Sequence, residues 1–395
     1  MDKEFRREVI GVIIKGGNIF SEEGVFLEGS IEIEAGKISK VRWGCANCES
    51  ETEDIIDAGD MYVISGLVDI HFHGCMGVDF CDGTFEAMDK ITKYELEQGI
   101  TSIVPATMTL SKEELMRIFK TAGQYKQSSG STIRGITMEG PFVSMAKKGA
   151  QNGEFIHKPD IDFYREMQQL SGGMIKQVAV APEEDREYVF IEEISQECVI
   201  SIAHTTANYE TARMAFEKGA NHVTHMFNAM PAFLHRDPGV VGAAAERDNV
   251  FVELICDGIH IHPAMVRAVF SLFGAERICM ISDSMMAVGM PDGEYSLGGQ
   301  AVKVTGKTAT LLDGTIAGSA SNLHDCLKTA VLKMNIPLED AVMASTLTPA
   351  RSLGLDKECG SIKEGKAADF VILDEELNIR MVVKGGEVVH LPQSD

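Results

Sequence analysis

The chain is 395 residues long and 45% hydrophobic, with a mean hydropathy of 0.00 and a formal net charge of −23. That length accommodates one large domain with a small companion, and so negative a field excludes nucleic acid and anionic membrane surfaces as partners. No apolar run approaches the roughly 20 residues of a membrane-spanning helix, and MDKEFRREVI (1–10) is charged where a secretory leader needs its apolar core, so a cytoplasmic protein is expected.

From about residue 9 to 58 the pattern is short, alternating and turn-rich, as in VIIKGGNIF (12–20) and VFLEGSIEIEAGKISKV (25–41). The stretch 360–391, GSIKEGKAADFVILD followed by IRMVVKGGEVVHL, has the same strand-and-turn character. A small β-sandwich domain assembled from 1–61 and 356–395 is therefore expected. The nine cysteines are scattered, several inside apolar runs, and read as buried thiols in a reducing compartment. Cys45-Ala-Asn-Cys48 has no second Cys-x-x-Cys to complete a metal knuckle and is taken as incidental.

The middle, 62–355, repeats an apolar run followed by an amphipathic stretch. The runs are LVDIH, TSIVPA, IRGITME, IKQVAVAPE, CVISIAH, HVTHMFN, FVELICD and RICMISD. Between them lie helical segments such as SKEELMRIFKTAG, with Ser111 and Glu114 at capping-box spacing, and ETARMAFEKG, which closes on a glycine. Continuous apolar strands alternating with helices form a parallel sheet covered on both faces, and this number of units predicts a (β/α)₈ barrel of the TIM type.

The active site of such a barrel is built at the C-terminal ends of its strands. The first run ends in LVDIHFHG (67–74), where a period of two points His71 and His73 to one face and Ile70 and Phe72 to the other. An isolated pair of this kind more often caps a strand than binds a metal. The remaining runs change that balance: the third ends in Glu139, the fifth in His204, the sixth in His225, the seventh in Asp257 with His260 just after, and the eighth in Asp283. Imidazoles and a carboxylate converging on one barrel mouth fit a divalent metal with N and O ligands, of zinc or iron type. Such a metal acidifies bound water and polarises a carbonyl, which is the equipment of a hydrolase; Asp283 is the natural general base.

These features, with MEGPF (138–142), KKGAQN (147–152), THMFNAM (224–230), RDPG (236–239), CDGIHIHP (256–263), ISDSM (281–285) and IAGSA (316–320), resemble the amidohydrolase superfamily and, within it, the amino-sugar-phosphate deacetylases. Hydantoinases and dihydroorotases share the fold but end strand four in a carboxylated lysine, whereas here strand four ends in VAPE and Lys176 lies at its start. The resemblance implies one metal on Glu139, His204 and His225, with His71 and His73 available for a second. It further implies a sugar-phosphate pocket of Asn228, the backbone at Ala229, Arg236 and His260, and a homodimer in which Arg236 reaches across the interface. Gln151 stands where many relatives have a histidine that contacts the acetamido group. The implied reaction is hydrolysis of the N-acetyl group of N-acetylglucosamine 6-phosphate. The galacto epimer is the alternative substrate, and a catalytically inactive scaffold is the alternative of another class.

Overall fold

In the computed structural model, residues 12–44, 55–127 and 129–390 are described, and the Cys45–Cys48 pair lies outside them. Leu67–Asp69 and Ile100–Ile103 pair in parallel, and the latter pairs with Thr132–Ile133. Ile136–Met138, Ile175–Val180, Val199–Ile202, His222–Val223, Phe251–Ile255 and Ile278–Ile281 follow as a parallel sheet in that order. Two seams close the ring. Ala106 bridges Thr137 in parallel, while the Asp283 N–H donates to the His71 carbonyl at 3.0 Å and the His73 N–H to the Ser284 carbonyl at 2.7 Å. The result is a closed (β/α)₈ barrel.

The strands read as continuous apolar runs because both of their faces are buried, and alternate residues go to different cores. Leu67, Ile103, Leu254 and Met280 join the large core shared with the surrounding helices, whereas Val68, Val104, Ile255 and Cys279 pack inside the barrel. The helix Lys112–Gln124 begins at a reciprocal cap in which Ser111 accepts from the Glu114 N–H and Glu114 accepts from the Ser111 N–H at 3.2 Å. Its buried Leu115, Ile118, Phe119 and Ala122 fall on one helical face, the stripe that docks on the barrel. No described helix is long and apolar enough to cross a membrane.

Both ends of the chain meet in one seven-stranded sheet. Ile55–Ser65 lies between Val12–Phe20, to which it is parallel, and Phe370–Leu373, to which it is antiparallel. This strand runs past position 61 to Ser65 and passes through Gly66 directly into the first barrel strand. A Cβ on Gly66 would collide with the Thr101 side chain. The buried members of the sheet, among them Ile14, Ile31, Val63, Phe370 and Val383, pack on one another with no helix between them. The Lys384 ammonium ties this sheet to the barrel, donating to Asp369 at 2.7 Å, the Thr132 hydroxyl at 2.8 Å and the Thr101 carbonyl at 2.9 Å.

One element falls outside the repeating unit. Gly293–Leu297, Gln300–Thr305 and Thr308–Leu311 form an antiparallel three-stranded sheet between the eighth barrel strand and the next helix. Its turns, Gly298-Gly299 and Gly306-Lys307 between alternating apolar residues, are hairpin signals. Its Leu297, Val302, Val304 and Ala309 pack with Met108 and Met285 beside the barrel mouth.

Candidate active site

The regular first strand stops at Asp69, before the two histidines. Asp69 is fully buried; its carboxylate accepts the His71 N–H at 3.2 Å and the Ser282 hydroxyl at 2.5 Å, which turns the chain inward. Strict alternation therefore does not orient this segment: Ile70 enters the interior core and Phe72 the outer one, while the His71 and His73 rings, 5.6 Å apart, both face Glu139. His204, His225 and Asp283 have φ of 42°, 29° and 49°. A left-handed backbone at three non-glycine residues is held only where the surrounding structure dictates it, and such positions cluster at functional sites.

Glu139 is the centre of the cluster. Its Oε1 lies 3.0 Å from His204 Nε2 and 3.2 Å from His225 Nε2, and these two nitrogens are 3.2 Å from each other. Three ligands of one tetrahedral cation with bonds of about 2.0 Å stand roughly 3.3 Å apart. The far side of the His204 ring, Nδ1, donates to the Lys147 carbonyl at 2.9 Å, so a neutral His204 presents a bare Nε2 to the carboxylate oxygen. Facing lone pairs repel unless a cation lies among them. His71 Nε2 is buried without a hydrogen-bond partner, 3.5 Å from Glu139 Oε1, and His73 Nε2 is 3.5 Å from Glu139 Oε2. Two groups of donors, His71–His73–Glu139 and Glu139–His204–His225, thus share one carboxylate and fit metal ions.

Asp283 Oδ1 stands 3.3 Å from His73 Nε2 and 4.0 Å from His71 Nε2. Burial raises its carboxyl, but the His73 contact and the neighbouring histidines outweigh that and hold it below the ordinary carboxylate value. The cluster opens into a cavity of about 370 Å³, the size of a small-molecule site. Asn228, Ala229 and His260 line it, with Leu297, Thr315 and Ile316 from the inserted hairpins. Burial disfavours charge on His260, but the Asp257 carboxylate at 2.7 Å outweighs it and raises its pKa, which favours the charged imidazole on the cavity wall.

Two residues of the implied pocket have neighbours that only the fold shows. Gln151, expected at the acetamido group, lines the cavity, where it donates to Glu139 Oε2 at 2.8 Å and accepts the Thr109 N–H at 2.7 Å. Arg236 lies on an exposed loop against His235 and does not line the cavity of its own chain. A residue the sequence did not single out is Glu253, fully buried beneath the site, with Oε2 accepting from His71 Nδ1 at 2.9 Å and the His225 N–H at 3.1 Å. Its signal was a single carboxylate within the apolar run FVELI (251–255).

The barrel with this cluster at its mouth defines a metal-type hydrolase, and residues 62–389 match the amidohydrolase family, to which the chain belongs. It is 35% identical over 386 residues to N-acetylglucosamine-6-phosphate deacetylase of Bacillus subtilis (strain 168), covering 96% of this chain and 97% of that one. It is 29% identical over 379 residues to N-acetylgalactosamine-6-phosphate deacetylase of Escherichia coli O157:H7, covering 95% and 98%. Among solved structures, a mutant N-acetyl-D-glucosamine-6-phosphate deacetylase from Mycobacterium smegmatis in complex with N-acetyl-D-glucosamine-6-phosphate superposes with a TM-score of 0.89 at 30% identity, over 96% of this chain and 99% of that one.

Proposed function

We propose that the protein hydrolyses the N-acetyl group of N-acetylglucosamine 6-phosphate, releasing acetate and glucosamine 6-phosphate. The observation that carries this reading is the convergence of Glu139, His204 and His225 within 3.2 Å of one another, with Asp283 on the adjoining cavity wall. Glu139, His204 and His225 would hold one divalent cation, and His71 and His73 with Glu139 would be available for a second; zinc and iron suit such N and O ligands. The chemistry such cations supply is acidification of water and polarisation of the amide carbonyl. Asp283, held as a carboxylate, accepts a proton from the attacking water and returns it to the amine as the C–N bond breaks. An inactive scaffold has no use for six such groups in one place.

His260 and Asn228 bind the substrate within the cavity, and His260 with Arg236 of a second copy binds the phosphate. The exposure of Phe233 (43%) and Leu234 (54%) beside Arg236 supports a homodimer in which this loop is covered. The described cysteines are all free, in keeping with a reducing cytoplasm.

The test is acetate release from N-acetylglucosamine 6-phosphate by metal-stripped and by Zn²⁺- or Fe²⁺-reconstituted protein, with the galacto epimer run alongside. Stripping abolishes turnover and the cation restores it, with the gluco epimer the better substrate. Full turnover by verified metal-free protein refutes the reading.

A further inference from the structure

Glu253 is a charged residue at zero exposure on the seventh barrel strand, directly below the metal-type cluster and outside the cavity. A buried carboxylate is tolerated only when its oxygens are satisfied, and here every partner is named. Oε1 accepts from Gln177 Nε2 at 2.6 Å and lies 3.5 Å from His222 Nδ1. Oε2 accepts from His71 Nδ1 at 2.9 Å and from the His225 backbone N–H at 3.1 Å. One oxygen therefore links a side chain of one donor group to the backbone of the other.

The four imidazoles of the cluster are not supported alike. His204 Nδ1 donates to a backbone carbonyl, while His73 Nδ1 and His225 Nδ1 are buried with no hydrogen-bond partner. His71 alone among them is backed by a carboxylate. A carboxylate at Nδ1 keeps the proton on that nitrogen, leaves the lone pair on Nε2, fixes the ring plane and raises ligand basicity. His71 Nε2, so prepared, is the buried atom without a hydrogen-bond partner that faces Glu139.

We infer that Glu253 is the positioning residue of the His71–His73–Glu139 group: through the His71 ring it sets that group's affinity for its metal, while it touches the Glu139–His204–His225 group only at the His225 backbone N–H and so affects it less. The inference rests on the metal reading above and deepens it. Gln177 belongs to the same device, since its amide holds Oε1 and leaves Oε2 free to face His71.

The experiment compares wild type with Glu253→Met, which has similar length but no charge and only a weakly accepting sulfur, and with Glu253→Gln, which retains one amide oxygen. Zn²⁺ is titrated into metal-free full-length protein and both dissociation constants are read by calorimetry and metal analysis. Loss of a carboxylate behind a ligating histidine weakens metal binding by roughly 10- to 100-fold. Glu253→Met is expected to weaken the His71 group by that factor and the other by less than about threefold on the same scale, with Glu253→Gln in between. Should the methionine variant fail to fold, the glutamine variant and ¹⁵N spectra of the zinc-loaded wild type carry the test, the spectra showing His71 protonated at Nδ1 and bound through Nε2. A wild type that saturates with one ion, variants that hold both ions as tightly as the wild type, equal weakening at both groups, or His71 bound through Nδ1 each overturn the inference. A wild type that takes up no ion refutes instead the metal reading beneath it.

Discussion

Replacing Asp283 by Asn removes a base while leaving the local fold in place. The residue sits at φ 49°, a left-handed conformation in which Asn is as well tolerated as Asp. Its backbone N–H bond to His71 at 3.0 Å and its carbonyl's bond from the Ser319 N–H at 2.7 Å do not involve the side chain. Loss of a positioned general base slows the chemical step by about 10²–10⁴, or roughly 2.7–5.4 kcal/mol at about 1.36 kcal/mol per decade. The surroundings favour the upper half of that range, because the neighbouring carboxylates are engaged: Glu139 with His204, His225 and Gln151, and Asp257 with His260. No spare oxygen takes over. In an acetate-release assay Asp283→Asn is expected to lower kcat by about 10³–10⁴ with KM nearly unchanged and metal content, measured on the same sample, equal to wild type. A kcat within about tenfold of wild type at full metal content removes Asp283 from the proton transfers.

The phosphate pocket predicts that free N-acetylglucosamine reacts about 10²–10⁴ less efficiently than its 6-phosphate, since two charge-assisted contacts of roughly 1.5–3 kcal/mol each go unmade. Arg236→Ala shrinks that gap by slowing only the phosphorylated substrate; equal kcat/KM for both sugars in the wild type rules the pocket out. A third expectation concerns the join between the N-terminal and C-terminal segments of the terminal domain. Partial burial raises the Glu22 carboxyl, but hydrogen bonds from Lys363, Ser361 and Lys366 prevail and bring it from 4.5 to about 2. A lowered folded-state pKa contributes stability that is present above the unfolded value and lost as pH falls toward the folded one. Because Glu22 is partly exposed, screening reduces this to about 1 kcal/mol. Glu22→Gln is expected to be less stable than wild type by that amount at pH 7 in urea unfolding, the difference closing as pH falls from 4.5 toward 2; a pH-independent difference contradicts the assignment.

The histidines at the strand ends were legible because a barrel has a polarity: every parallel strand delivers its last residues to the same rim, so reading run endings is equivalent to reading the rim. Alternation along a strand predicts the meeting of His71 and His73, but the molecule reaches it by another route, since Asp69 ends the strand before them and the turn aims the rings. The inserted sheet beside the mouth was written in its Gly298-Gly299 turn but was hidden by the stronger βα repeat on either side.

Apolar runs, their alternation with capped helices, and the matching strand-rich ends are short-range patterns, and they determined the barrel, its terminal sheet and the rim residues without any coordinates. Tertiary structure decided the pairings between residues far apart in the chain. Glu253 reads as an odd charge in a strand until its partner His71, 182 residues away, is brought to 2.9 Å, and only the fold shows that the Gln151 amide, on the cavity wall, donates to Glu139. Arg236, which the resemblance sends across a dimer interface, stands on an exposed loop outside the cavity of its own chain, where a second copy could meet it. The physical reason is the range of the forces: local periodicity is dictated by backbone geometry a few residues at a time, whereas the partner of a buried charge is dictated by which group the closed barrel leaves within hydrogen-bond reach.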